Sequence, residues 1–241
     1  MTLRTYAIGD IHGRIDLLRQ AHDRIAADRA LVGDAEAPVV HLGDLVDRGP
    51  ASRAVIDLLM AGQIMGQPWV VLKGNHDRMF TLFQRGQRDH RLRPEYEYLH
   101  PKIGGQETLR SYGLPPDAAP DQARAAVPAA HRAFLDDLPT RFLRGDVLFV
   151  HAGIAPGVAF EDQTEDDLIW IRAPFLDHAD PHPWLVIHGH THIAAPCHHG
   201  NRVNIDSGAA YGGPLTAVVV EGRDVWVLGP DGRIPLHPQA D

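Results

Sequence analysis

The sequence predicts a layered α/β fold, because one pattern occurs three times before residue 84. Each occurrence combines an apolar run typical of a buried strand, a short polar loop and a segment with helical periodicity. The three apolar runs lie at residues 3–9, 39–42 and 69–72. Strands that alternate with helices in this way form layered sheets, whose functional sites gather at the carboxyl ends of the strands.

The first loop places two metal-ligand residue types close together. Gly9-Asp10-Ile11-His12-Gly13 follows the first strand, and Asp10 and His12 are two residues apart. Side chains at this spacing point the same way in extended backbone, so both could bind one ion. On its own, an Asp-x-His pair is also typical of an ordinary strand end.

The second loop carries the densest chemistry in the chain. Gly43-Asp44-Leu45-Val46-Asp47-Arg48-Gly49 places two carboxylates and a guanidinium within five residues. We expect Asp44 to face a cleft and bridge two metal ions, and Asp47 to support a second catalytic group. The planar fork of Arg48 is suited to binding an anion through two hydrogen bonds.

The third loop, Gly74-Asn75-His76-Asp77, adds a neutral ligand and a proton donor. Asn75 offers a neutral carbonyl oxygen to a metal and is also a candidate phosphate-binding residue. His76 is the candidate general acid. A helix is expected after each loop. The predicted helices are 15–30, 50–60 with Gly62 as its C-terminal cap, and a short one from Met79.

The pattern breaks between residues 84 and 138. This segment alternates arginines with histidine, glutamates and tyrosines, and its first arginines are Arg85, Arg88, Arg91 and Arg93. We interpret it as a helical insert between the third and fourth core strands that covers the cleft or recognises substrate. The alternative is a solvated helical excursion. Residues 1–241 are otherwise predicted to form a single domain, because no linker separates two hydrophobic sets.

After the insert, strands again deliver histidines. The run 147–150 ends in His151, and the run 184–187 ends in His188-Gly189-His190. A Trp-Ile-Arg box ends at Arg172. Closing strands are expected at 202–205, 215–220 and 225–228.

Five strand ends therefore each supply Asp, His or Asn. The candidate metal ligands are Asp10, His12, Asp44, Asn75, His151 and His190. Mixed carboxylate, imidazole and amide ligands suit Mn, Fe, Zn or Co better than Ca or Mg. Two such ions about 3.5–4 Å apart could share Asp44 and a bridging hydroxide that attacks phosphorus. Arg48 and Arg172 would bind the phosphate, and Asp47 would orient His76 as proton donor.

The ordered boxes resemble the calcineurin-like metallophosphoesterases. The boxes are Gly-Asp-Ile-His-Gly, Gly-Asp-Leu-Val-Asp-Arg-Gly, Gly-Asn-His-Asp, His-Ala-Gly and His-Gly-His-Thr. The branch with the greatest similarity is that of the bacterial and phage (lambda-like) phosphoprotein phosphatases. The resemblance implies a β-sandwich core with helices on both faces. It also implies two divalent metals, with Mn²⁺ the first choice and Fe or Zn the alternatives.

The resemblance also implies how the ligands divide between the metals. The first metal would be bound by Asp10, His12 and Asp44, and the second by Asp44, Asn75, His151 and His190. A Gly-His-x-His box can supply a further ligand in this superfamily. His192 is therefore either an extra ligand or a histidine on the rim of the site.

The leading functional hypothesis is a serine/threonine, or dual-specificity, protein phosphatase, favoured by the Asp47-Arg48 pair and the Arg172 box. The alternative is a dinucleoside polyphosphate hydrolase, such as one for diadenosine tetraphosphate. It is favoured by Asp77, where the protein phosphatases usually have Glu, and by the arginine-rich insert. A non-catalytic phosphate-binding scaffold is the third hypothesis, and the intact catalytic and ligand residues argue against it. The expected partner is a phosphoprotein or a phosphorylated small molecule.

Composition excludes several other classes. The formal net charge of −8 with no basic block argues against nucleic acid as a partner. Cys197 is the single cysteine, so no intramolecular disulfide can form. The chain starts directly in a strand-like segment, and no apolar run reaches membrane-spanning length. We expect a cytoplasmic enzyme with no membrane partner, and the sequence leaves its oligomeric state open.

Overall fold

The computed structural model describes residues 3–239, in which two β-sheets lie face to face. The strands are β1 (Arg4–Ile8), β2 (Val39–His41), β3 (Trp69–Val71), β4 (Arg141–Arg144), β5 (Val147–Val150), β6 (Leu185–His188), β7 (Cys197–His198), β8 (Arg202–Asn204), β9 (Ala217–Glu221), β10 (Asp224–Gly229) and β11 (Gly232–Pro235). The α-helices are α1 (Ile15–Val32), α2 (Ser52–Ile64), α3 (Asn75–Gln84), α4 (Gly105–Ser111), α5 (Pro120–Ala126), α6 (Ala129–Asp136), α7 (Glu165–Trp170) and α8 (Ala173–Leu176). Short 3₁₀ turns occur at Phe160–Asp162 and Ala209–Tyr211.

Both sheets are mixed. The first has the strand order β11-β10-β9-β1-β2-β3, and β1, β2 and β3 are parallel, as the repeated pattern predicts. The second has the order β4-β5-β6-β8-β7, with β5, β6 and β8 parallel. The carboxyl ends of the central strands of both sheets consequently meet at one edge of the molecule.

Alternating side chains divide the core into layers. Ala7 of β1 points into the space between the sheets, where it shares a hydrophobic cluster with Phe149 and Ile187 of the second sheet. Tyr6 and Ile8 point the opposite way, towards the helices on the outer face of the first sheet. Helices α7 and α8 cover the outer face of the second sheet. The predicted β-sandwich flanked by helices is confirmed.

Residues 84–138 follow β3 and α3 and contain α4, α5 and α6, with irregular turns before α4. Their buried side chains, including Tyr98, Leu109 and Leu135, belong to the same hydrophobic cluster as Ile56 and Phe80. The segment therefore packs on the main core. Among the helices of residues 3–239, none has both the length and the apolar character that a membrane span requires.

Two helix boundaries differ from the sequence prediction. Gly62 lies inside α2. Glycine is needed there because a Cβ would be only 1.8 Å from Cζ3 of Trp69. It is a packing position, and the C-terminal cap prediction is wrong. Helix α3 begins at Asn75 rather than near Met79, because the carboxylate of Asp77 accepts the N–H of Gly74 and caps the first turn. Strands β4, β7 and β11 were not predicted.

Candidate active site

The loops after β1, β2, β3, β5 and β6 converge at the shared edge of the two sheets. Backbone strain is concentrated there. Non-glycine residues with positive φ among residues 3–239 are His12, Asp44, Asp47, Arg48 and His190. Each such residue costs on the order of 1–3 kcal/mol, and strain of this kind persists where the surrounding structure enforces it. All five are residues that the sequence predicts for the site.

The β2 and β3 loops approach each other through two glycines. A Cβ on Gly74 would lie 2.2 Å from Oδ1 of Asp44, and one on Gly43 would lie 2.5 Å from the nitrogen of Gly74. This approach lets Asp44 Oδ1 accept the backbone N–H of His76 at 2.9 Å. The glycines before Asp44 and Asn75 are thus explained by the close approach of the two loops, which a larger residue would prevent.

Asp44 belongs to two groups of potential metal ligands. One group is His12, Asp44 and His76, and the other is Asp44, His151 and His190. Oδ2 of Asp44 lies 3.4 Å from His12 Nε2, and Oδ1 lies 3.3 Å from His151 Nε2. A carboxylate with one oxygen turned to each group is placed to bridge two ions, as the sequence predicts for Asp44.

Asn75 completes the second group. Its Oδ1 lies 3.0 Å from His151 Nε2 and 2.9 Å from His190 Nδ1. Nε2 of His190 is buried, and no hydrogen-bond partner for it occurs in the described part of the chain. Buried polar atoms are rarely left without a partner. The unpartnered imidazole nitrogen and the mixed O and N donors fit a divalent cation.

Asp10 lies beside these groups, although it is not a member of either. Its carboxylate accepts the backbone N–H of His190 at 3.1 and 3.2 Å. Burial, followed by the charges of Asp206 and Asp44, raises the pKa of Asp10 well above its usual value. Burial also raises the pKa of Asp44 to about 7. Crowded buried carboxylates of this kind are stabilised by a cation, and the site fits a metal pair.

Asp206 is a site residue that sequence reasoning missed. It lines the cleft and is buried, and its Oδ1 accepts the N–H of Gly208 at 3.0 Å. The residue lies within the Asn204-to-Thr216 run that carries part of the family resemblance, so a signal was present. Only the fold shows that its carboxylate acts on Asp10 and Asp44.

The predicted catalytic pair is assembled. His76 Nδ1 and Asp47 Oδ2 are 2.7 Å apart, and both side chains are buried. Burial, then the positive charge of Arg48, lowers the pKa of His76 well below its usual value. Burial raises the pKa of Asp47 to about 8, against hydrogen bonds from Tyr98 and Thr108 and the charge of Arg48. Arg48 donates to Nε2 of His76 at 2.9 Å.

The two predicted phosphate-binding arginines both line one cleft of about 1050 Å³. Arg48 also donates to His12 Nε2 and lies over the ring of Tyr211, 5.2 Å from its centroid. Arg172 donates to Thr191 at 3.0 Å. Burial, opposed by Asp44 and reinforced by the charges of Arg48 and Arg93, lowers the pKa of Arg172.

The 84–138 segment contributes many of the residues that line the cleft. Its lining side chains include Arg91, Arg93, Tyr96 and Lys102. Arg85 and Arg88, the other two arginines noted in this segment, do not line the cleft. Arg85 pairs with Asp136 at 2.7 Å, and Arg88 donates to backbone carbonyls of its own segment.

The structure gives the positions of Asp77, His192 and His188, for which the sequence allowed more than one role. Asp77 is fully buried and bonded to the backbone of Leu45 and Gly74, so it does not reach the cleft. His192 is exposed at the cleft rim and packs against Tyr211, with ring centroids 4.8 Å apart. His188 is buried, with Arg202 donating to its Nε2 at 3.3 Å.

Comparison with known proteins agrees with this geometry. The sequence profile of the calcineurin-like phosphoesterases matches residues 3–225. The chain belongs to this family. The family and enzyme-class predictions are therefore confirmed, and the protein is a phosphoester hydrolase of a family that uses a binuclear metal centre. The residues that bind the metals and perform the chemistry stay predictions.

Several individual relatives cover most of the chain. The asymmetrical bis(5'-nucleosyl)-tetraphosphatase PrpE of Geobacillus thermodenitrificans is 29% identical over 228 residues, which is 88% of each chain. A crystal structure of a candidate diadenosine tetraphosphatase superposes with a TM-score of 0.64 at 21% identity, covering 98% of this chain and 95% of the other. A cold-active protein-tyrosine phosphatase of a psychrophilic Shewanella species gives 0.66 at 16% identity, covering 98% and 81%. The two structural matches show the fold.

Proposed function

We propose that this phosphoesterase hydrolyses the polyphosphate chain of dinucleoside polyphosphates such as diadenosine tetraphosphate. The observation that carries the proposal is the position of Arg93. It reaches the cleft from the 84–138 segment and lies close enough to Arg172 for its charge to lower the pKa of that residue. A single phosphoryl group bound by Arg48 and Arg172 does not need this third guanidinium.

The charge on the cleft walls supports a ligand with several phosphates. Like charges brought together in a partly buried cleft repel one another, and a polyanion relieves that repulsion. Lys102 and Arg91 line the same cleft and add to its positive charge. Tyr96 and Tyr211 line the same cleft, where aromatic side chains could contact a nucleobase. The curated relatives named as bis(5'-nucleosyl)-tetraphosphatases support the same substrate class.

The metal centre would be formed by the six predicted ligands. These are Asp10, His12, Asp44, Asn75, His151 and His190, with Mn²⁺ as first choice and Fe or Zn as alternatives. When bound, such a pair polarises phosphoryl oxygens and lowers the pKa of the attacking water. The shared position of Asp44 between the two ligand groups supports this assignment.

The remaining chemistry belongs to the side chains around that centre. Arg48 and Arg172 bind the oxygens of the attacked phosphoryl group, and Arg48 turns from His76 Nε2 to the substrate. Water adds to phosphorus, and the bond to the leaving phosphate oxygen breaks. The attacking water releases a proton to solvent. His76, protonated at Nε2 once Arg48 has turned away, donates this Nε2 proton to the leaving oxygen. Asp47 stabilises the imidazolium through the 2.7 Å contact at Nδ1.

A protein phosphatase, the leading hypothesis from sequence, is the second candidate. The observation in its favour is that Arg48, Arg172 and His76 line the same cleft and would suffice for one phosphoryl group. For a phosphoprotein the 84–138 segment would then contact peptide. A cytoplasmic location, a single domain and the lid role of this segment stay predictions.

A side-by-side turnover assay with manganese-loaded protein tests the proposal. Diadenosine tetraphosphate is expected to give the higher kcat/KM, and a phosphoserine and phosphothreonine peptide set the lower one. The variant Arg93→Ala should raise KM for the dinucleotide about tenfold, within the range for one charged hydrogen bond, and leave peptide turnover unchanged. Arg85→Ala is the matched control, because Arg85 lies outside the cleft. Faster peptide turnover, with no effect of Arg93→Ala, would select the second candidate.

A further inference from the structure

The carboxylate of Asp47 has two sets of partners, one for each oxygen. Oδ2 faces His76 Nδ1 at 2.7 Å. Oδ1 accepts the hydroxyl of Tyr98 at 2.5 Å and the hydroxyl of Thr108 at 2.7 Å. Both hydroxyl residues come from the 84–138 segment, and both are buried. The segment that lines part of the cleft therefore also holds the partner of the predicted proton donor.

Thr108 fixes the backbone of Asp47 as well as its side chain. The N–H of Asp47 donates to Thr108 Oγ1 at 2.8 Å and lies 3.2 Å from the hydroxyl of Ser52. Asp47 has a φ of +71°, a conformation that non-glycine residues adopt at a cost. Contacts at both ends of the residue therefore hold it in a strained conformation.

Tyr98 is itself held by packing. Its ring lies 4.8 Å from that of Phe83 and 5.9 Å from that of Phe80, measured between centroids. Gly105 lets the chain approach, because a Cβ there would be 2.6 Å from the Tyr98 ring. A buried aromatic side chain between two rings loses little freedom when its hydroxyl binds, so it can place that hydroxyl accurately.

Both side chains that donate to Oδ1 of Asp47 are neutral hydroxyl groups rather than cations. A lysine or arginine on Oδ1 would neutralise Asp47 and weaken its attraction for a protonated His76. Two neutral hydroxyl groups satisfy the buried oxygen without placing a further positive charge beside His76. A purely structural carboxylate in the core would be equally well served by a cation. Neutral donors are therefore compatible with an Asp47 that supports a protonated His76.

We propose that Tyr98 and Thr108 are positioning residues that hold Asp47 so that His76 can deliver its proton to the leaving group. The inference rests on the proposed proton-donor role of His76 and is independent of whether the substrate is a dinucleotide. It predicts that the 84–138 segment is part of the catalytic apparatus of the enzyme.

Hydrolysis of aryl phosphate monoesters with leaving groups of graded basicity tests the proposal on the full, manganese-loaded chain. A poor leaving group such as phenolate needs the proton, whereas dinitrophenolate departs without it. Tyr98→Phe and Thr108→Val are expected to lower kcat for phenyl phosphate about tenfold, a fraction of the 10²–10⁴ that general acids contribute. The kcat for dinitrophenyl phosphate and both KM values should change little. Thr108→Ser, which keeps the hydroxyl, should restore turnover.

Two controls separate positioning from general damage. The metal content of each variant is measured, and two ions per chain show that the site is intact. In a His76→Asn background, Tyr98→Phe should produce no further loss, because the proton donor is already absent. An equal loss on every ester, or a full additional loss in His76→Asn, would overturn the inference. Failure to cleave diadenosine tetraphosphate would instead overturn only the proposed substrate.

Discussion

The carboxylate of Asp77 joins the backbone of Leu45 to that of Gly74. One oxygen accepts the N–H of Leu45 at 2.9 Å, and the other accepts the N–H of Gly74 at 2.8 Å. The two loops that carry Asp44 and His76 are thereby held at a fixed separation. Asp77 is fully buried and lies behind the cleft. Its difference from the Glu of the protein phosphatases is therefore no direct guide to substrate.

Asp77→Asn should destabilise the fold without changing substrate preference. An amide has one acceptor oxygen, so one of the two buried N–H groups loses its partner, at a cost of about 1–3 kcal/mol. Urea denaturation measures the loss in the free energy of unfolding. The ratio of kcat/KM for diadenosine tetraphosphate to that for a phosphopeptide should stay constant. A shifted ratio at unchanged stability would show that Asp77 acts on substrate after all.

The local part of the site was predictable, because strand periodicity and the residue at each strand end are neighbours in sequence. Asp10, Asp44, Asn75, His151 and His190 all follow apolar runs within a few residues. Parallel strands bring such ends together, and the structure places all five in one region. The pairing of Asp44 with two separate histidine groups follows from that arrangement.

The remaining part depends on tertiary contacts that no local pattern encodes. Tyr98 is 51 residues from Asp47 and Thr108 is 61 residues from it. Neither lies in a box of the family resemblance. The unpredicted strands β4, β7 and β11 have two to four residues and lack the continuous apolar run that marks β2 and β3.

Gly62→Ala should destabilise the protein although alanine is the better helix former. Alanine gains about 1 kcal/mol of helix propensity, but a Cβ 1.8 Å from Trp69 forces the packing apart, and overpacking typically costs about 1–3 kcal/mol. The net loss is read from thermal or urea denaturation. Ala61→Gly, at the exposed neighbouring position of α2, is the control and should lose only the propensity term. A more stable Gly62→Ala protein would show that Trp69 can move aside and that the helix propensity of alanine outweighs the contact.

A buried histidine pair should make stability fall at low pH. His22 Nε2 lies 2.9 Å from His41 Nε2, and burial lowers their pKa values to about 4 and about 3. Because the folded pKa values are depressed, the neutral pair stabilises the fold above pH 6.5, and this contribution is lost as pH falls from 6.5 towards 4.

Urea denaturation between pH 7 and pH 4.5 measures that loss. In His22→Gln the free energy of unfolding should depend less steeply on pH. The slope should fall by up to about 1.4 kcal/mol per pH unit, which corresponds to one proton. His237→Gln, at an exposed position, is the control and should leave the slope unchanged. An unchanged slope in His22→Gln would mean that other groups set the acid limit.

Asp44→Asn should abolish binding of the metal pair. The amide keeps a single neutral oxygen, so it can no longer present a charged oxygen to both ligand groups. Elemental analysis after dialysis is expected to find less than one ion per chain. The exposed Asp16→Asn is the control and should retain two. Two retained ions in Asp44→Asn would contradict the bridging role.

Arg172→Ala should weaken phosphate binding more than it affects the metal centre. Its guanidinium lines the cleft beside Arg48, and its one hydrogen bond to protein is to Thr191 among the described residues. Removing a charged hydrogen-bond donor costs about 1.5–3 kcal/mol, so the inhibition constant for inorganic phosphate should rise at least tenfold. Metal content should stay the same, and inorganic phosphate should inhibit Arg85→Ala as strongly as it inhibits the wild type. Unchanged phosphate inhibition in Arg172→Ala would remove this residue from the clamp and leave Arg48 as the phosphate-binding group.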